Sequence, residues 1–169
     1  TDIPAVASAA RKVTVSGVLQ IDISERIPAF IWRKDDVISV IDEKGEFIRL
    51  ATSRLDYPEL PLVIGEAANL SIADISSLME DNQYFLEQVR AFVRVGERRW
   101  DLVLDNNLRI MLPQTEFLAA FDRLMLMSES GSLFSNQLSS IDMRLVERPT
   151  VRVGAASVDQ LTYNSSGDL

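Results

Sequence analysis

From Val89 onward, apolar residues recur at every second position. Val89, Ala91, Val93 and Val95 point one way, and Arg90, Phe92 and Arg94 the other. That is the period of a strand. Gly96-Glu97 turns the chain. Trp100, Leu102 and Leu104 then form one face of a return strand, with Arg99, Asp101 and Val103 opposite. The pattern resumes past an Asp105-Asn106-Asn107 turn as Leu108, Ile110 and Leu112, and Pro113 ends it. The period then changes. Thr115 is placed to cap a helix in which Phe117, Leu118, Phe121, Leu124 and Met125 share one face. Ser128 to Ser132 reads as a flexible loop. Ile141, Met143 and Leu145 alternate with Asp142 and Arg144, and Glu147-Arg148-Pro149 turns the chain into Thr150 to Val153, a last hairpin.

The first half carries shorter signals. Pro4 to Lys12 predicts a short helix, with Pro4 in its first turn and four alanines after it. Ser16-Gly17 is a turn, and Leu19, Ile21 and Ile23 alternate with polar residues as a strand. Pro28 interrupts, which sets a domain junction between Arg26 and Ala29. Phe30 to Trp32, Val37 to Ile41 and Phe47 to Leu50 follow as strands, the last two joined by an Asp42-Glu43-Lys44-Gly45 hairpin turn. Tyr57 to Pro61 is expected to be extended, because each Pro disfavours helix in the residue before it. Leu62-Val63-Ile64 is a buried run closed by Gly65. Ser71 is placed to cap a helix from Ile72, with Ile72, Ile75, Leu78 and Met79 on one face and a break before Phe85 and Leu86.

The fold class expected is α+β: an antiparallel β-sheet domain with flanking helices, since strands follow one another without a helix between each pair. At 169 residues the chain can bury a real core. The net charge of -8 argues against nucleic acid and against an anionic lipid surface. Of the 17 basic residues 14 are Arg, which suits bidentate pairing with carboxylates. There is no Cys and no His, so zinc, iron–sulfur and haem sites and His-dependent nucleophilic catalysis lack their ligands or base. Neither a membrane span nor a signal peptide is legible. A start at Thr1 suggests a piece of a longer protein.

Few residues offer chemistry. Asp105-Asn106-Asn107 with Glu116 has the outline of a calcium loop, but the position that wants Gly is Ile110 and a ligand position is Arg109. Asp35-Asp36 and Asp101 with Asp105 are carboxylate pairs without an evident pocket, and a solvated surface is the simpler reading. Ser128 to Ser132 has no base partner. No cofactor, metal or catalytic residue is expected. Arg90, Arg94, Arg98 and Arg99 form a local basic cluster. It either pairs with acidic residues across strands, the simpler reading, or receives an acidic partner segment. Trp100 reads first as core and second as an interface anchor. If Thr150 to Val153 is the last strand of its sheet, its backbone groups form an open edge. Arg148 and Arg152 could guard that edge, or it could accept a partner's strand.

Taken in order, GVLQIDISERIPAFIW, VISVIDEKGEFI, LPLVIG, RVGERRWDLVLDNNLRIMLP and IDMRLVERPTVRV resemble the FtsQ/DivIB family of bacterial cell-division proteins, and its alphaproteobacterial members in particular. The likeness runs from about Ile3 to Val153. It implies a non-enzymatic scaffold of the divisome: a single-pass protein of the cell inner membrane with this region in the periplasm at the division septum, linking early and late division proteins. It implies residues 1-27 as the C-terminal part of a POTRA domain, whose first half and membrane helix lie outside this chain. Residues 28-153 would be the family's β domain and residues 154-169 a tail expected to be mobile at its end. The implied partners are FtsB and FtsL, taken by strand addition at the C-terminal edge, besides other divisome proteins. On that mapping Arg144, Leu145, Glu147, Arg148, Val151 and Val153 fall in the partner-binding region, and Arg98 and Trp100 match an upstream element. Many members carry a Pro-containing turn where Ser16-Gly17 stands, and an aromatic near the Leu145 or Val153 position. The rival readings are a POTRA-bearing binding protein of outer-membrane assembly or secretion, and a cell-wall enzyme.

Overall fold

The computed structural model of the chain describes residues 3–129, 133–134, 137–145 and 147–154. The chain divides between Ser77 and Leu78 into two units. Expectations about residues 130–132 and the tail beyond Gly154 lie outside the described residues.

In the first unit, Val6–Val13 (β1) and Leu19–Glu25 (β2) form an antiparallel hairpin. The helix expected over Pro4 to Lys12 is therefore a strand. Helix propensity is worth only about 0–0.7 kcal/mol per ordinary residue. Pairing with β2, in register from Val13↔Leu19 to Ser8↔Ser24 with a shift before Val6↔Glu25, satisfies the same backbone groups another way. Both strands are almost wholly exposed, Ile21 and Ile23 included.

Phe30–Lys34 (β3), Val37–Ile41 (β4) and Phe47–Leu50 (β5) make an antiparallel meander, and Leu62–Ile64 (β6) joins β3 in parallel, giving the order β5-β4-β3-β6. Ile31, Val40 and Ile48 are buried together, with Ala5, Ile38, Tyr57 and Leu60 packed around them. Each buried Ile or Val contributes about 1.5–3 kcal/mol. The β4–β5 turn closes on Gly45 at φ 80°, and the Asn69 amide donates to the Gly45 carbonyl at 3.2 Å. Arg26 fastens the end of the hairpin: its side chain donates to the Pro4 carbonyl at 3.0 Å and to Asp42 at 2.6 Å. Tyr57 to Pro61 is not extended. A 3-10 turn at Arg54–Asp56, capped by Ser53, leads into a tight turn closed by Leu60 N–H on the Tyr57 carbonyl. Ser71 is likewise no cap; it ends a 3-10 turn, Ala68–Ser71, that runs into helix Ile72–Asp81 (α1).

A short helix, Gln83–Leu86 (α2), opens the strands of the second unit. Val89–Val95 (β7), Arg99–Leu104 (β8) and Arg109–Met111 (β9) are antiparallel neighbours. Helix Phe117–Glu129 (α3) carries the chain across to Leu138–Asp142 (β10), which pairs parallel to β9, and Thr150–Val153 (β11) returns antiparallel on β10. The order is β7-β8-β9-β10-β11. Pairing is thus mixed in both units, not antiparallel throughout, because the chain reaches β6 from β3, and β10 from β9, by long crossovers instead of tight turns. Among the described residues the chain is mostly β, with helices confined to α1, α2 and α3. Helix α3 starts at Phe117, after Glu116 at φ 56°, so Thr115 lies outside it, and Ser128 is inside the helix, not in a loop. One row of side chains crosses the sheet: Phe92, Leu102, Ile110 and Ile141, all buried, and then Val151. Phe85 and Phe121 meet edge to face at 5.3 Å between α2 and α3.

Candidate functional site

Among the described residues the end of the second sheet is open. β11 is last in the order, and all four of its residues are exposed. Its alternation can be read from two bonds. Gly154 N–H donates to the Gln137 carbonyl at 2.7 Å, and the Arg152 carbonyl accepts from the Ser139 hydroxyl at 3.2 Å. Both bonds face inward. Since backbone groups alternate sides along a strand, Arg152 and Thr150 turn theirs toward β10, and Val151 and Val153 turn theirs outward. The side chain of Val151 continues the row of Ile110 and Ile141 beyond the covered core, and is 52% exposed. The edge thus offers backbone donors and acceptors together with an apolar strip.

Leu145, Glu147 and Arg148 lie exposed on the connection that leads from β10 to β11, and Arg148 N–H donates to the Leu145 carbonyl at 3.0 Å. Arg144, at the start of that connection, is clamped on Asp142, its Nη2 2.6 Å from Oδ2. Arg98 is exposed on the β7–β8 turn. Trp100 is a core residue, 1% exposed, with the Arg94 guanidinium 4.9 Å from its ring centre.

The basic cluster expected over Arg90 to Arg99 does not stay together. Arg94 joins Trp100 on one face of the sheet. Arg99 turns to the other, because strand neighbours alternate faces. There it meets residues that sequence distance had hidden. Asp101 is buried, not solvated, with Arg99 at 3.4 Å and Arg109 at 3.3 Å. Asp101 aligns with Met111, and Met111 with Asp142, so the two carboxylates share one face, two strands apart. Burial pushes the Asp101 carboxyl above its ordinary value, against the pull of Arg99 and Arg109. The hydrogen bonds from Arg144 hold Asp142 below its ordinary value despite some burial. A signal was present: Arg99, Asp101, Arg109, Asp142 and Arg144 all occupy the polar phase of their strands. What sequence lacked was the register that aligns them.

Asp105 stands exposed on the β8–β9 turn, away from buried Asp101 in exposure, so the pair does not form an enclosed acid–base site. Among the described residues no group of three or more acidic side chains is placed to hold a metal ion. No described helix is long and apolar enough to cross a membrane.

Comparison with known proteins gives a consistent answer. The family model for the C-terminal region of cell division protein FtsQ/DivIB matches residues 30–144. The chain is 38% identical over 160 residues to cell division protein FtsQ of Jannaschia sp. (strain CCS1), covering 94% of this chain and 51% of that protein. It is 34% identical over 160 residues to FtsQ of Dinoroseobacter shibae, covering 95% and 54%. It is 38% identical over 136 residues to FtsQ of Bartonella bacilliformis, covering 79% and 43%. The chain therefore spans about half the length of these relatives. With a family match over residues 30–144 and relatives of one name, the chain belongs to the FtsQ/DivIB family of non-enzymatic cell-division proteins.

Proposed function

We propose that this chain is the partner-docking region of a periplasmic scaffold, anchored in the inner membrane by a segment outside it. In that reading it recruits FtsB and FtsL at the septum and so links early and late division proteins. The β1–β2 hairpin is read as the closing part of a POTRA domain, and residues 28–153 as the β domain. The observation that carries the docking role is the edge strand: Val151 and Val153 turn their backbone groups to the open edge, and their apolar side chains stand exposed on the sheet face beside it. An added strand gains main-chain bonds there, and pockets for alternate side chains set its identity.

Two proline substitutions test this on adjacent residues. Val151→Pro removes an outward N–H and leaves the bonds to β10 in place. Arg152→Pro removes an inward N–H and attacks the hairpin itself. Titrated against the periplasmic segments of FtsB and FtsL, Val151→Pro is expected to keep its circular dichroism and lose affinity by about tenfold or more, the worth of one or two backbone bonds. Arg152→Pro is expected to lose stability first. A folded Val151→Pro variant that binds as well as the parent would place the interface elsewhere, with the exposed Arg98 turn next in line.

A further inference from the structure

Arg144 stands where the chain leaves β10 for the edge strand. Met143, just before it, is fully buried and donates its N–H to the Met111 carbonyl at 2.9 Å, which fixes the backbone at that point. Asp142 and Arg144 flank Met143 on the same face. Arg144 gives its own N–H to Asp142 Oδ1 at 3.0 Å. Its Nε reaches both carboxylate oxygens, at 2.9 and 3.0 Å, and its Nη2 reaches Oδ2 at 2.6 Å. These contacts use one edge of the guanidinium. The Nη1 edge makes no bond among the described residues, and the side chain is 47% exposed. A long arginine normally has substantial rotamer freedom to lose when it is ordered. Here one carboxylate has already ordered it.

The Asp142 carboxylate stands on a face that carries further charge. Asp101, 2% exposed between Arg99 and Arg109, lies on the same face two strands away. Arg99 acts on Asp142 as well as on Asp101, and Arg144 acts on Asp101 as well as on Asp142. Three arginines and two aspartates thus gather on one face of the sheet, with the Asp142–Arg144 pair nearest the β11 end.

We propose that Asp142 is the positioning residue of the docking edge: it holds the Arg144 guanidinium side-on so that the free Nη1 edge meets a carboxylate or carbonyl of the incoming strand already ordered. This rests on the edge-docking reading above. It makes Asp142 favourable for binding although its charge has the wrong sign for attracting an acidic segment. That opposition separates positioning from plain electrostatics.

The test has two arms. In the free protein, nitrogen-15 spectra of the arginine Nε–H groups are expected to show the Arg144 signal protected from exchange and motionally restricted, and Asp142→Asn is expected to release it. A mobile Arg144 signal in the parent overturns the proposal whatever the partner does. In the second arm the parent, Asp142→Asn, Arg144→Ala and the double variant are titrated against the FtsB–FtsL segments. Arg144→Ala is expected to weaken binding about tenfold, equivalent to about 1.4 kcal/mol. Asp142→Asn is expected to do nearly the same, and the double variant to be no weaker than Arg144→Ala alone, the signature of two residues acting as one unit. Tighter binding by Asp142→Asn overturns the proposal in favour of simple charge repulsion. Equal weakening by Asp142→Asn in both backgrounds, with a parallel loss of thermal stability, overturns it in favour of a structural brace. A parent that shows the restricted Arg144 signal but does not bind FtsB–FtsL overturns the docking reading, and with it the partner half of the proposal; the intact first arm tells that failure from the others.

Discussion

Replacing Gly45 by alanine should cost far more than its place in a hairpin turn suggests. Gly45 sits at φ 80°, and a Cβ built there would lie 1.9 Å from the Asn69 carbonyl oxygen and 2.8 Å from its carbon. Three costs combine. The left-handed backbone costs an L-residue about 1–2 kcal/mol. The clash is with backbone, so turn and 3-10 segment must separate, an overpacking cost of about 1–3 kcal/mol. Separation also strains the 3.2 Å bond from Asn69 to the Gly45 carbonyl, worth about 0.5–1.5 kcal/mol. The alanine recovers about 0.4–1 kcal/mol by restricting the unfolded chain. The net loss is about 3–5 kcal/mol, or about 6–20 °C in Tm for a chain of this size. Gly96 is the matched control, since it has φ 58° and its nearest neighbour would be the Arg98 side chain at 3.7 Å. Gly96→Ala carries the backbone cost without the clash, about 1 kcal/mol. Urea unfolding of both variants, followed by circular dichroism and tryptophan fluorescence, gives the comparison. If Gly45→Ala falls within about 1 kcal/mol of Gly96→Ala, the tight approach of Asn69 to the turn is wrong.

Other outcomes follow from burial and charge. Trp100→Ala should destabilise the protein by about 3–5 kcal/mol, as for a large buried aromatic, and any loss of partner binding should track the unfolded fraction measured by thermal melting. For Asp42, burial raises the carboxyl pKa, but the N–H of Glu46, the Arg26 side chain and the N–H of Lys44 together bring it below the ordinary 3.8. A depressed acid stabilises the fold above its unfolded pKa and loses that contribution as pH falls through the folded value, so Asp42→Asn should flatten the loss of stability below about pH 3.8. Asp101 has the opposite sign. Its raised pKa favours the fold when protonated and disfavours it as pH rises through the folded value, so Asp101→Asn should steepen the acid limb measured by urea titration at stepped pH.

Much of the fold was legible where period and turn chemistry agree. Trp100, Leu102 and Leu104 are buried as their alternation requires, and Gly45 and Gly96 take the positive φ their turns need. Two kinds of signal misled. Pro4 to Lys12 reads as helix by composition, yet pairing with β2 outweighs a propensity of tenths of a kcal/mol. Asp101 reads as solvent-facing by alternation, yet Arg99 and Arg109 close over it. Both errors have one physical source. A single strand carries no record of which strand lies beside it. The parallel pairing of β9 and β10 across α3 is the same omission at the level of topology, and it alone brings Asp142 into line with Asp101. The open edge was legible as a possibility from Pro149 and the short Thr150 to Val153 run; that Val151 and Val153 bear its free backbone groups needed the Gly154–Gln137 bond.

The chain order of β10 and β11 has a consequence in time. Strands β7, β8 and β9 can pair by short hairpins as soon as they emerge, but β10 must wait for the whole of α3 before it can find β9. At roughly 5–20 residues per second of synthesis, the span from Met111 to Val153 trails the rest of the sheet by a few seconds. The open edge is therefore the final part of the sheet to come into being. An interrupted chain that ends between Asp142 and Thr150 keeps β7 to β10 and lacks the edge strand altogether. On the docking role proposed above, such a chain is mute toward its partner rather than a decoy for it, and assembly begins only on a molecule whose synthesis has run past its own core.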